Sequence, residues 1–480
     1  MTENDTSGSD AGTETSEADK FYDSLYPYRK RFETHRELPS TGVDRSVILN
    51  ELRTMATEED AKGDQGLVSG SIYHGSHDHY HFLTEAFEAF AHANVLQRDM
   101  YPSSTKLEGE IVSMTLQLLH GEAAEDACGV LTSGGSESLM TALYTYREWG
   151  REEKGITEPE VIWPVTAHCA LDKGAHYFGM KVLHAPITDD ARADVQWIRD
   201  HITPNTVAIA GSAGNYPHGV IDPIEEMGAL ALEHNIGFHV DGCLGGFILA
   251  FGEELGIDIP RFDFRVPGVT SISADTHKFG YGLKGTSVLS YARKNLRKYQ
   301  YFTAGGWPGG IYLSPGMAGS RSGGVIAATW AAMVNLGRPG YLSVAADIFA
   351  TAEKLRVGVE AIPELRVIGK PYFLVAFTSD EVGIYHVNDA LAERGWRMNG
   401  IQFPDALHFC ITRPNTSPGL IEKFLEDLAA SVEVAKAIPA DQAPKSGALY
   451  GLSGSGPEGV KMVEDLLAGA LDAFYEPAPQ

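Results

Sequence analysis

The pattern of apolar and polar positions changes character along the chain. Residues 1–18, MTENDTSGSDAGTETSEA, are polar, acidic and without period, which predicts a disordered tail. A mixed N-terminal segment follows over 19–85, with a helix expected around 43–56. From 86 to 119 apolar residues recur at helical spacing. After that, short apolar runs alternate with amphipathic stretches. "GVLTSGG" ends at a glycine turn, and a helix follows in SESLMTALYTYREWGREE. Strands are predicted over 160–165, 181–187, 206–213, 236–241 and 269–275, with helices in ALDKGAHYFG and MGALALEHN between them. Strands alternating with helices predict an α/β fold with a mainly parallel sheet covered on both faces. Ligands of such sheets sit beyond the C-terminal strand ends.

The pattern becomes mixed again near residue 340. A helix is expected over 341–361, short strands in YFLVAFTS and LHFCIT, helices around 384–394 and 418–437, and a loop over 437–447. A last amphipathic helix, GVKMVEDLLAGALDAFY, carries Val463, Leu466, Leu467 and Leu471 as a stripe for packing on a domain or a partner. The expected organisation is a tail (1–18), an N-terminal segment (19–85), a large domain (86–340) and a smaller α+β domain (341–480).

Composition narrows the function classes. At 480 residues the chain is too long for one ordinary core. Lys and Arg number 38 against 64 Asp and Glu, a net charge of -26. That balance argues against nucleic acid and against an anionic membrane surface, while leaving room for a local basic pocket. No transmembrane segment and no signal peptide are expected, because no apolar run reaches about 18 residues. Four scattered cysteines, Cys128, Cys169, Cys243 and Cys410, read as reduced thiols of a cytoplasmic protein.

Four stretches at strand-to-loop ends carry candidate chemistry. "TSGGSES" (132–138) is a glycine turn opening a helix, where backbone N–H groups and Ser136 can hold a phosphate. "TAHCALDK" (166–173) places His168 after a strand. "HVDGCLGGF" (239–247) places Asp241 at a strand end, a metal ligand, a general base or the partner of a protonated heterocycle. "SADTHKFGYGLKGTSV" (273–288) supplies two lysines, Lys278 and Lys284. Together they suggest pyridoxal 5'-phosphate: a lysine for the Schiff base, an acid for the ring nitrogen, a helix N-terminus for the phosphate and a histidine against the ring. The histidines at 74, 77, 79 and 81 invite a metal reading, which the lack of any thiolate beside them disfavours.

The order of these stretches resembles the fold-type-I enzymes of the group II pyridoxal-phosphate decarboxylase superfamily, and within it the sphingosine-1-phosphate lyases. "VSGSIYHG" (68–75), "FAHANVLQRDMYPSSTKLEGEIV" (90–112), "GSAGNYPHGVIDPIEE" (211–226), "WPGGIYLSPGMAGSRSGG" (307–324) and "GWRMNGIQFPDALHFCIT" (395–412) carry the likeness with the four stretches above. The resemblance implies a large domain with a mainly parallel seven-stranded sheet, a smaller C-terminal domain, and a form without a membrane anchor. It implies that Lys278 bears the cofactor, that Gly135, Ser136 and His277 contact its phosphate, that Asp241 meets the ring nitrogen and that His168 stacks. Ser320 matches a phosphate contact given by the partner subunit of a homodimer with shared active sites. Lys284, Tyr73 and Asn94 match residues that bind the substrate's phosphate and serve proton transfer.

The implied reaction is retro-aldol cleavage of sphingosine 1-phosphate, or a related small-molecule or lipid phosphate, to a fatty aldehyde and phosphoethanolamine. The chain departs from the family pattern at Gln97, where His is usual and where an amide can bind phosphate but not shuttle a proton near neutral pH. It departs also at Gly242, Gly306, Leu313, Gly316 and Ser322. The competing expectations are an L-amino-acid decarboxylase of the same superfamily and a cofactor-bound protein without turnover.

Overall fold

A computed structural model describes residues 25–439, 442–447 and 457–477. The expected disordered tail lies outside the described residues. The chain divides into two compact units, one of residues 1–61 and 448–480, the other of residues 62–447.

The larger unit is built on a seven-stranded sheet, in the order β1-β7-β6-β5-β4-β2-β3. The strands are β1 (Cys128–Thr132), β2 (Glu160–Pro164), β3 (Lys181–Ala185), β4 (Thr206–Ser212), β5 (Gly237–Asp241), β6 (Ser271–Ala274) and β7 (Ser287–Tyr291). Pairings among β2, β3, β4, β5 and β6 are parallel. β7 runs antiparallel between β6 and β1, with Ala274 opposite Val288 and Thr132 opposite Ser287. β2, β4, β5, β6 and β7 are buried along their whole length, as near-continuous apolar runs require when helices cover both faces. Helices Gly135–Lys154 and Ala170–Phe178 pack on one another beside the sheet, around a core that includes Trp163, Tyr146, Leu171 and Tyr291.

A second sheet, β10-β11-β13-β12, joins β10 (Arg366–Val367), β11 (Leu374–Thr378), β12 (Asn399–Ile401) and β13 (Ala406–Cys410). A two-stranded hairpin of β8 (Phe302–Ala304) and β9 (Tyr312–Ser314) lies between the two sheets in sequence.

Three helical regions add detail to the sequence reading. The periodic stretch 86–119 is two helices, His77–Glu88 and Ser103–Leu118, with a loop between them that carries Asn94 and Gln97. The helical stretch Gly323–Glu360 is two helices that meet at a kink at Gly337 (φ 54, ψ 177), and the helix expected over 341–361 is the second of them. Gly337 accepts the positive φ and Pro339, with no N–H to donate, is tolerated in the first turn after the kink. In the smaller unit, helix Pro457–Phe474 exposes Leu466, Leu467 and Leu471, so the stripe is no core of its own unit.

Candidate active site

The C-terminal ends of β1, β2, β5 and β6 open on one side of the sheet, and the four motif stretches meet there. A cavity of about 330 Å³ is lined by Gly134, Gly135, Ser136, His168, His277 and Lys278, among others.

The glycine turn follows directly from β1. Gly134 adopts φ 154, ψ 173, a region that is essentially glycine's alone. Helix Gly135–Lys154 starts at the next residue, so its N-terminal N–H groups face the cavity. A Cβ on Gly135 would lie 2.8 Å from Asp275 Oδ2 and 2.9 Å from Cys243 Sγ. Glycine there lets the turn close against the two strands opposite. Glu137 braces the turn, its carboxylate accepting the Ser133 N–H at 2.7 Å. Ser138 ties it to β7, bonding Thr132 Oγ1 at 2.7 Å and Ser287 Oγ at 2.9 Å.

Asp241 ends β5 and is 8% exposed. Its Oδ1 accepts the Cys243 N–H at 2.9 Å and the Ser273 hydroxyl at 3.3 Å. Burial pushes its pKa up, but the nearby His168, the Cys243 N–H and His239 outweigh burial and hold the carboxyl below its ordinary value. His168 sits just past β2. Its Nδ1 accepts the Ala170 N–H at 3.1 Å, which leaves Nε2 as the protonated nitrogen of the neutral ring.

The turn after β6 carries both lysines. Asp275 and Lys278 stand three residues apart in a single turn, Lys278 N–H to Asp275 carbonyl at 3.2 Å, which brings Nζ to 2.9 Å from Asp275 Oδ2. Burial lowers the Lys278 pKa, yet the Asp275 charge more than offsets it and the ammonium is favoured. His277 Nε2 lies 3.5 Å from the same carboxylate oxygen. Among the described residues, Asp275 Oδ1 and His277 Nδ1 are buried without hydrogen-bond partners. Lys284 reaches back over this turn, Nζ donating to the His277 carbonyl at 3.4 Å and lying 4.7 Å from the centre of the Tyr73 ring. Burial and the Lys278 charge lower its pKa. Tyr73 is buried, edge-on to Phe279 at 5.0 Å, and burial raises its phenol pKa well above the ordinary value.

Asn94, Gln97 and Ser320 form a different cluster. The Asn94 amide donates to Ser320 Oγ at 3.0 Å, and Asn94 forms an antiparallel bridge with Ser322. Arg321 anchors the pair through Glu108 Oε1 at 2.9 Å and the Leu131 carbonyl at 3.2 Å. Gln97 is exposed, its N–H bonded to the Asn94 carbonyl at 3.0 Å. Among the described residues, no hydrogen bond joins these three side chains to Lys278, Asp241 or His168 of the same chain.

Sequence reasoning passed over Asp275, Glu137 and Ser273. The spacing DTHK held the signal for the first, since an acid three residues before a lysine in one turn can reach its ammonium. The four histidines separate: His74 and His79 stack at 3.7 Å in the interior, whereas His77 and His81 are exposed beside Asp64 and Glu85.

Comparisons agree with this geometry. Residues 69–378 match the pyridoxal-dependent decarboxylase conserved domain. The sphingosine-1-phosphate lyase of Oryza sativa subsp. japonica is 44% identical over 91% of this chain and 81% of its own length. The Rattus norvegicus sphingosine-1-phosphate lyase 1 is 41% identical over 92% of this chain and 78% of its own. The solved structure of a Burkholderia pseudomallei sphingosine-1-phosphate lyase is 50% identical and superposes with a TM-score of 0.88, over 94% of this chain and 100% of that one. A Lactobacillus brevis glutamate decarboxylase shares the fold at 19% identity and a TM-score of 0.72, over 85% of this chain and 97% of that one. The chain belongs to the pyridoxal-dependent decarboxylase family, within its sphingosine-1-phosphate lyase branch.

Proposed function

We propose that the protein is a pyridoxal-phosphate-dependent aldehyde-lyase. It cleaves sphingosine 1-phosphate, or a closely related phosphorylated amino alcohol, to a fatty aldehyde and phosphoethanolamine. The observation that carries this reading is the pair of ammonium groups on one turn: Lys278 faces the cavity and Lys284 lies over Tyr73.

The residues present fit the cofactor. Gly135 leaves open the space that a Cβ would fill beside Asp275, and the helix N-terminus at that point suits a phosphate. When bound, pyridoxal phosphate supplies an electron sink conjugated to the substrate's amine. In this reading Lys278 bears it, Gly135, Ser136 and His277 hold its phosphate, Asp241 meets the ring nitrogen and His168 lies against the ring. The low pKa of Asp241 supports that role, because a carboxylate keeps a heterocyclic nitrogen protonated.

Lys284 then binds the substrate's own phosphate, offsetting the cost of taking a dianion out of water. Tyr73 keeps its proton, since burial raises its pKa, and donates a hydrogen bond to the phosphate or to the hydroxyl oxygen of the substrate. Asn94, Gln97 and Ser320 complete the site of the partner subunit in a homodimer. The Asn94–Ser320 bond, apart from their own chain's Lys278, supports that reading. A cytoplasmic location accords with the acidic balance of the chain and its four free cysteines. No helix among the described residues is long and apolar enough to cross a membrane.

The test is incubation of the purified holoenzyme with sphingosine 1-phosphate, measuring long-chain aldehyde and phosphoethanolamine in equal amounts. Carbon dioxide released from an amino acid, with no aldehyde from any phosphorylated amino alcohol, would replace this reading with a decarboxylase.

A further inference from the structure

β5 and β6 are parallel neighbours, with His239 opposite Ser271 and Asp241 opposite Ser273. Side chains two apart on a strand share a face, so these four side chains stand together in a square. All are buried: His239 and Asp241 are 1% and 8% exposed, and both serines are 0%. Hydrogen bonds connect them in one line. Tyr146 Oη lies 2.6 Å from Ser271 Oγ, Ser271 Oγ 2.7 Å from His239 Nδ1, His239 Nε2 3.2 Å from Ser273 Oγ, and Ser273 Oγ 3.3 Å from Asp241 Oδ1.

Counting protons gives the line a direction. An ionised carboxylate only accepts, so the Ser273 hydroxyl donates to Asp241. That hydroxyl has one proton, so toward His239 it accepts, and Nε2 must carry hydrogen. Burial drops the His239 pKa to about 4, so the ring is neutral and has a single N–H. Nδ1 therefore accepts from Ser271, and Ser271 in turn accepts from Tyr146. Cys243 Sγ, 3.1 Å from Ser273 Oγ, donates to the same oxygen. Every dipole in the chain points toward Asp241.

We propose that Tyr146, Ser271, His239 and Ser273 form a polarised relay that holds Asp241 as an oriented carboxylate, with His239 and Ser273 as positioning residues for the reaction. The proposal rests on the reading of Asp241 as partner of the cofactor's ring nitrogen. Facing Asp241 are also His168 and the Cys243 thiol. A neutral relay that only donates toward Asp241 stabilises the anion without giving it a proton.

The first test reads the unsubstituted protein and uses one variant only for assignment. The ¹⁵N shifts of the holoenzyme labelled at histidine, with His239 assigned by its loss in His239→Gln, are expected to show protonated Nε2 and bare Nδ1. The opposite tautomer, or a doubly protonated ring at neutral pH, overturns the relay. The second uses Ser273→Ala and His239→Leu. Each is expected to lower kcat about tenfold with KM within about twofold, and to move the pH midpoint of the visible band of the lysine-linked cofactor up by about one unit, because a ring nitrogen held less firmly in its protonated form leaves the imine more basic. Ser273→Thr, which keeps the hydroxyl, restores both. Asp241→Asn separates the two ideas. If it leaves turnover and band unchanged, the reading of Asp241 fails. If it abolishes turnover while Ser273→Ala and His239→Leu move neither kcat nor the midpoint, that reading stands and the relay is wrong.

Discussion

The cluster at Lys278 and the cluster at Asn94 differ in what holds them. Around Lys278, each group is fixed by buried neighbours of its own chain: Asp275 to Lys278, Ser273 to Asp241, Ser138 to β7. Around Asn94, the polar side chains meet at the surface, and only the Arg321–Glu108 pair beneath them is buried. The first region is held rigidly within one chain and suits chemistry that needs fixed positions. The second offers its groups outward, to whatever docks there. In the proposed homodimer that is the cavity of the partner.

Four experiments break or sharpen this contrast. The largest effect is expected at the two lysines. Lys278→Ala should abolish the visible band of the bound cofactor together with turnover. Lys284→Ala should keep the band and lower kcat/KM by about 10²–10³, the usual loss for one group stabilising developing or bound charge. Full activity of Lys284→Ala on its substrate would remove the division between the two lysines.

Next is a mixing experiment. Lys278→Ala and Ser320→Ala chains, unfolded and refolded together, should recover activity in about a quarter of their sites if each site of a twofold dimer draws on both chains. Ser320→Ala must first be shown to be impaired alone. No recovery, with dimers present by ultracentrifugation, would place Ser320 in its own chain's site.

Gly135→Ala should cost about 1–3 kcal/mol, from a methyl group pressed on the Asp275 carboxylate and the Cys243 sulfur, and should weaken cofactor binding. Equilibrium dialysis and thermal unfolding measure the two effects. By contrast Gly306→Ala, with nothing within 4 Å of its Cβ, should alter neither.

The last effect is in pH. Burial drops His218, His239 and His408 to about 4 in the folded chain, against about 6.5 unfolded. Between these values the unfolded chain binds the extra protons, so stability is complete above about pH 6.5 and falls as pH drops toward 4, by up to about 1.4 kcal/mol per unit for each histidine. Asp222, pushed up to about 6 by burial, acts oppositely over part of that window, because its folded state holds the proton more tightly. The net direction is still loss on acidification. A melting temperature that rises from pH 6.5 to pH 5 would contradict the buried, neutral state of these rings.

The sequence made the sheet legible because its strands are short, apolar and bounded by turns, and because the motif residues stand at their ends. For the same reason it made legible that Lys278, His168, His277 and the glycine turn come together at one cavity. β7 was not legible as a separate strand, since KGTSVLSY follows the lysine turn without a helix, and its antiparallel course departs from the alternation. The loop holding Asn94 was hidden because apolar residues on both sides keep helical spacing across it. The role of Ser273 was hidden more deeply: a serine in an apolar strand signals nothing until the neighbouring strand puts Asp241 opposite it.

The reversed strand β7 has a consequence for how this protein can change. Its first residue, Ser287, is bonded to the glycine turn, and the segment leading into it carries both lysines. The glycine turn and Lys278 are thus two ends of one short tether, and a length change in either would displace the other. The positions where the resemblance marks a departure, Gln97, Gly242, Gly306, Leu313, Gly316 and Ser322, all fall outside that tether. Substitutions outside the tether leave its length alone, whereas an insertion or deletion within it would move the glycine turn and Lys278 together.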